Sequence, residues 1–230
     1  MNAPAAAAVA ALFAISAFAD DAMKSAPAAV PQPAAAPARL AAPDAAQLRG
    51  LFSQAVARGL PEEALLVVVD VPSQSASLVS AAGPLVAWPV STALAGTGNA
   101  SGSNKTPLGW HRVESRFGAG AAPGTMFVSR RANGRRIPPE GWRAPSPAED
   151  AVLTRVMWLE GLEPGVNKGP GIDSHERCIY MHGTNQEQLL GTPASHGCIR
   201  FSNAAIKTLF GLSAGVETWV FVKGDAGAAG

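Results

Sequence analysis

A mainly β fold of sandwich or barrel type, with few helices, is what this 230-residue chain predicts. From residue 64 onward, short runs of β-prone residues alternate with turn residues. Six of the 19 prolines lie in the first fifty residues, and most of the 24 glycines and remaining prolines lie in turns, where they punctuate rather than build helix. Helical periodicity is confined to two stretches. A hydrophobic content of 47% is enough to bury one sizeable core.

Taken in order, residues 5–19 carry no charge and end in Ala17-Phe18-Ala19 before Asp20, the small-x-small pattern of a signal-peptidase site. Residues 1–19 are therefore expected to be an export signal, leaving the chain in the periplasm or cell envelope. No Lys or Arg precedes the apolar run, so an Ala-rich tail is the other reading. The run is too short to span a bilayer securely and none of about 20 residues follows, so no stable membrane span is expected. Residues 20–44 are Ala- and Pro-rich, a semi-extended spacer. Leu48, Leu51, Phe52, Val56 and Leu60 then make one apolar stripe on a helix over 45–60, closed by Gly59.

The folded domain is expected over 61–224. Its candidate strands are 64–71, 75–80, 85–91, 109–116, 125–129, 151–158, 177–182 and 218–223. Turn clusters such as 96–107 and 118–124 connect them. A second helix, capped by Ser202 or Asn203, would bury Ile206, Leu209 and Phe210. Segment 130–150, with Arg130, Arg131, Arg135, Arg136 and Arg143 among prolines, is expected to be a solvated loop, or alternatively a rim that meets an anionic polymer. Residues 225–230 are expected to be a flexible tail. With 18 basic and 17 acidic residues the formal charge is +1, which provides no field to gather nucleic acid.

The chemistry is concentrated late in the chain. Three of four histidines and both cysteines lie between His175 and Cys198. Two cysteines are too few for a disulfide scaffold, which leaves one available as a nucleophile. A thiol with an ordinary pKa near 8.5 is only slightly ionised at neutral pH and needs a base or a positive neighbour. His196, two residues before Cys198, would share its face on an extended segment. His182 could fold back onto the thiol from the end of a strand, and spacing alone does not choose between them. Gly197 permits close approach of a substrate carbonyl, with the Gly197 and Cys198 N–H groups placed to bind an oxyanion. Arg200 could lower the thiol pKa or grip a substrate carboxylate, and Ser195 could hydrogen-bond a ring nitrogen or a substrate amide.

Two other arrangements compete. Cys178, His182, His196 and Cys198 have the element types of a zinc site, but an extended Cys178–His182 pair is spaced too widely for the usual ligand turns. A Cys178–Cys198 disulfide would consume the nucleophile. Cys178 reads instead as a small buried residue within a strand. Residues 96–105 lack the glycine before the lysine that a phosphate-binding loop requires, and no G-x-S-x-G is present for a serine hydrolase.

His182-Gly183-Thr184, followed sixteen residues after the histidine by Cys198 in Ser195-His196-Gly197-Cys198-Ile199-Arg200, resembles the signature of the L,D-transpeptidases, the YkuD-type catalytic domain. Pro89-Val90-Ser91-Thr92 and Lys105-Thr106-Pro107-Leu108-Gly109 resemble further family segments, and the likeness covers residues 62–223. It implies two packed mixed sheets with a few peripheral helices. It further implies a Cys198 thiolate paired with protonated His182, a ring oriented by the Gly183 carbonyl, and His196 in support. Ser195, Gly197, Arg200 and Thr184 would meet the substrate. The implied activity is acyl transfer from a peptidoglycan stem peptide to an amine, with no metal or organic cofactor. An L,D-carboxypeptidase using the same residues and a non-catalytic wall-binding module are the alternatives.

Overall fold

Residues 44–142 and 150–224 are described by the computed structural model. The chain divides into two compact units, Met1–Ala35 and Ala36–Gly230, and the first lies wholly outside the described residues. The expected signal at 1–19, all but the last residue of the spacer, and the tail at 225–230 lie outside them too.

Helix α1 (Ala45–Ala57) starts where the Asp44 carboxylate accepts the Ala46 N–H, and the chain leaves it through Gly59 at φ +107°. Its stripe of Leu48, Phe52 and Ala55, continued by Leu60, packs with Leu66 and Val68 and with Trp110 and Trp219 in one apolar cluster. Next come β1 (Leu65–Asp70), β2 (Ser75–Ser80) and β3 (Gly83–Pro89), an antiparallel meander. They are followed by β4 (Gly109–Phe117), β5 (Thr125–Val128), β6 (Arg131–Arg136), β7 (Leu153–Gly161), β8 (Tyr180–Gly183) and β9 (Ile199–Phe201). Helix α2 (Asn203–Leu212) and β10 (Thr218–Lys223) complete the domain. The Ser202 hydroxyl caps α2 by accepting the Ala205 N–H.

The strands run β3-β2-β1-β10-β4-β7-β5-β6, with β8 on β7 and β9 on β8. Only β1–β10 and β8–β9 are parallel pairs. One core joins Val67, Val69, Leu78, Val220 and Val222 to Met157, Met181, Ile199 and Phe201, with Ile206 and Leu209 of α2. Each such side chain contributes about 2 kcal/mol of transfer free energy. The fold is mainly β and mixed, as expected, and the two anticipated sheets are parts of one hydrogen-bonded network.

Several elements differ from the sequence reading. Residues 131–136, expected as loop, form β6 through backbone pairing with β5. All six are exposed, so no apolar alternation marks them. The strand expected at 177–182 begins only at Tyr180, because Cys178 adopts φ +55° in a turn whose N–H reaches the His175 carbonyl. Cys178 is accordingly half-buried beside the strand rather than a buried member of it. Strand β9 is three residues long, too short to read from pattern.

Candidate active site

Alternation along β7, β8 and β9 separates core from site. Met157, Met181, Ile199 and Phe201 face the core. Val156 and Trp158, Tyr180 and His182, and Arg200 belong to the other face, with Trp158 opposite Tyr180, Val156 opposite His182 and His182 opposite Arg200. Cys198 immediately precedes β9, and its Sγ lies 3.4 Å from the Tyr180 N–H and 3.6 Å from the Cys178 carbonyl. The thiol is therefore level with Tyr180, and His182 stands two residues further along the parallel neighbour β8.

His182 is 1% exposed, and its Nδ1 lies 2.8 Å from the Gly183 carbonyl. A carbonyl only accepts, so Nδ1 carries the proton and Nε2 the lone pair. Gly183 has no room for a side chain: a Cβ there would lie 2.4 Å from Asn203 Oδ1 and 2.9 Å from the Leu153 carbonyl. Asn203 is buried. Its Nδ2 donates to the Thr184 carbonyl and to Glu187 Oε1, and its Oδ1 accepts from Thr154. Thr184 is turned inward as well, with Oγ1 accepting the Gln186 N–H.

The loop carrying Cys198 is clamped to residues 90–94. Ser91 and Arg200 exchange backbone hydrogen bonds, Ala194 and Ser195 donate to the Thr92 carbonyl, and Leu94 donates to the Ser195 carbonyl. Thr106 links the layers: its hydroxyl accepts the Ala93 N–H and donates to the Gly197 carbonyl. The Ser195 hydroxyl closes the turn itself, donating to the Cys198 carbonyl at 2.6 Å and accepting the Gly197 N–H at 3.2 Å. Gly197 needs φ +126°, a conformation glycine adopts without steric cost.

That bend corrects the expectation that His196 shares the face of Cys198. His196 points outward, its side chain 69% exposed, toward Asp150 Oδ2 at 3.3 Å. Arg200 likewise departs from the expected grip on substrate. It is 1% exposed, and its guanidinium is held by the Asp150 carboxylate and by Gln186 Oε1. Asp150 was not legible in the sequence, where it merely ended a proline-rich loop. Thr106 was quoted only within a turn motif, and nothing marked Asn203 beyond its capping position.

Burial pushes the Cys198 thiol up to about 12; the Tyr180 N–H and Arg200 pull it down, while the Asp150 carboxylate raises it further. Burial lowers His182, with Asp150 and the Gly183 carbonyl opposing. Burial would also raise the Asp150 carboxyl, but the charges of His182 and Arg200 and hydrogen bonds from Arg200 and His196 outweigh it. Burial thus works against charge on both the Cys198 thiol and the His182 imidazole, whereas the Asp150 carboxylate is favoured. Both cysteines are free. Among the described residues, no group of three or more His, Cys, Asp or Glu could hold a metal ion, and no helix is long and apolar enough to cross a membrane.

Residues 65–222 match the family described as the L,D-transpeptidase catalytic domain, YkuD. Similar solved structures include the L,D-transpeptidase from Xylanimonas cellulosilytica, 19% identical with a TM-score of 0.43, the match covering 75% of this chain and 69% of that one. An L,D-transpeptidase from Mycobacterium smegmatis is 17% identical with a TM-score of 0.39, covering 69% and 58%. L,D-transpeptidase 3 from Mycobacterium tuberculosis, in complex with a faropenem-derived adduct, is 15% identical with a TM-score of 0.38, covering 70% and 60%. The chain spans less than two thirds of the length of the two mycobacterial structures. No curated protein matches it.

Proposed function

The chain belongs to the L,D-transpeptidase catalytic-domain family, and from that membership we propose that it is an exported cysteine acyltransferase acting on peptidoglycan stem peptides. The observation that supports the proposal is the register of β8 and β9, with Cys198 just before β9 and level with Tyr180, and His182 two residues further along β8 with its Nδ1 at the Gly183 carbonyl.

Burial, which opposes charge on both Cys198 and His182, sets the order of events. As Cys198 Sγ bonds to the donor carbonyl carbon, its proton passes to His182 Nε2, and the imidazolium so formed is stabilised by the Asp150 carboxylate. The Gly197 N–H is engaged by Ser195, which leaves the Cys198 N–H as the better placed donor to the developing oxyanion. Collapse of that intermediate breaks the C–N bond, and the His182 proton leaves with the departing amine. A thioester remains on Cys198. The acceptor amine then loses its proton to His182, displaces the sulfur and restores the thiol. Thr184, Ser195 and Gly197 support this course by shaping the backbone around the sulfur, and His196 lies at the rim with Asp150.

Incubation with a carbapenem followed by mass spectrometry tests the nucleophile. The adduct is expected on Cys198, absent in Cys198→Ala and retained in Cys178→Ala. An adduct that survives in Cys198→Ala, or none on any residue, refutes the proposal. Tetrapeptide-bearing wall fragments then read the acceptor: crosslinked dimer indicates an amine, and tripeptide alone indicates water.

A further inference from the structure

Three arginines lie around Cys178, Tyr180 and Cys198, and two are committed elsewhere. Arg200 is buried against Asp150. Arg177 donates to the carbonyls of Gly98, Asn99 and Lys105, pinning the 96–105 loop. Arg130 is different. It sits half-buried on the β5–β6 hairpin with no carboxylate within ion-pair distance among the described residues.

Its placement is costly. Val128 pairs with Arg131, so Ser129 and Arg130 are the two central residues of the turn, at φ +48° and +67°. Tight hairpins of that kind favour Asn-Gly, and each non-glycine residue in the left-handed region costs about 1 kcal/mol or more. What the strained turn achieves is aim. The Arg130 guanidinium lies 4.0 Å over the Trp158 ring, and its Nη1 is 2.9 Å from Tyr180 Oη and 3.8 Å from Cys178 Sγ. Trp158, Tyr180, Cys178 and Cys198 pack in one cluster, and the Tyr180 N–H touches Cys198 Sγ. Tyr180 thus joins the two, its hydroxyl holding the guanidinium at one end and its N–H meeting the Cys198 sulfur at the other, while His182 stands two residues further along β8. A guanidinium stacked flat on an aromatic ring is held in its fork geometry with an edge left to bind.

We propose that Arg130 is a specificity-determining residue that binds a carboxylate of the donor peptide and thereby orients the carbonyl toward Cys198. This rests on the acyl-transfer reading above. The carboxylate belongs either to the side chain of the residue whose carbonyl is attacked or to the C-terminus of the departing amino acid.

The test compares three donor peptides: one with both carboxylates free, one with the side-chain carboxylate amidated, and one with the C-terminus amidated. With the parent enzyme, kcat/KM for acylation of Cys198 should fall roughly 10- to 100-fold for one of the two amides, mainly through KM, and that amide identifies the source. Arg130→Gln should process the free and amidated donors alike, at the lower rate, and Arg130→Lys should restore part of the preference. Arg130→Gly, which relieves the left-handed strain, should also lose the preference while unfolding within a few degrees of the parent; a purely structural arginine would leave the preference intact in every variant. Equal handling of all donors by the parent, or an undiminished preference in Arg130→Gln and Arg130→Gly, overturns the inference while leaving the acyl-transfer reading standing. If no donor acylates Cys198 in the parent, while iodoacetamide still alkylates it, both fall together.

Discussion

Acidification should destabilise this domain through His111, which lies on β4 and is fully buried. Its Nδ1 is 3.0 Å from the Gly109 carbonyl and its Nε2 2.9 Å from Ser174 Oγ. The carbonyl can only accept, so Nδ1 bears the proton, Nε2 accepts from Ser174, and the ring is neutral. Burial lowers its pKa from 6.5 to about 4, with the Gly109 hydrogen bond opposing and the Arg177 charge assisting. The unfolded chain takes up a proton at this imidazole near pH 6.5, whereas the folded chain does not until about pH 4, so its contribution to stability is present above pH 6.5 and lost as pH falls toward 4. At ~1.36 kcal/mol per pH unit the loss is about 3 kcal/mol. His111→Gln removes the titration while costing about 1–3 kcal/mol at pH 7 for imperfectly satisfied partners. Urea unfolding of both proteins at about pH 7, 5.5 and 4 gives the stability gap at each pH. The parent's advantage should fall by about 3 kcal/mol from the first to the last, closing or reversing the gap, because His182 and the carboxylates titrate in both proteins and cancel. A gap constant across the series refutes the reasoning.

Two further outcomes follow from the site. Gly183→Ala drives a Cβ to 2.4 Å from Asn203 Oδ1 and against the Leu153 carbonyl, and should cost about 2 kcal/mol or more in urea unfolding and abolish carbapenem labelling; unchanged labelling would show that the backbone beside His182 yields freely. Because burial holds the thiol near 12 and depresses His182, iodoacetamide alkylation of Cys198 should keep rising through pH 10 with no plateau near 8, while donor acylation should hold its rate as pH falls through 6.5 and decline only below it. An alkylation plateau near pH 8 would restore the resting ion pair.

Much of the frame was readable as pattern. Leu48, Phe52 and Leu60 announced α1, Ile206 and Leu209 announced α2, and the alternating or continuous apolar runs located β1, β2 and β10, because one-sided or full burial imposes a period on the residues themselves. Strand β6 left no such trace: its exposed arginines are paired only through the backbone. The motifs around His182 and Cys198 were legible for a different reason, since Gly183 and Gly197 must satisfy tight local geometry that restricts which side chains can stand there.

Chain order by itself thus established the β class, the two helices and the cluster around Cys198. Tertiary structure alone decided the partners. Asp150 meets His196 and Arg200 across 46 and 50 residues of sequence, Thr106 ties the Gly197 carbonyl to Ala93, and Arg130 reaches Tyr180 from the β5–β6 hairpin. It also decided the charges: the sign and size of a pKa shift depend on how much water is excluded and on which groups converge from distant strands, quantities that no local spacing encodes.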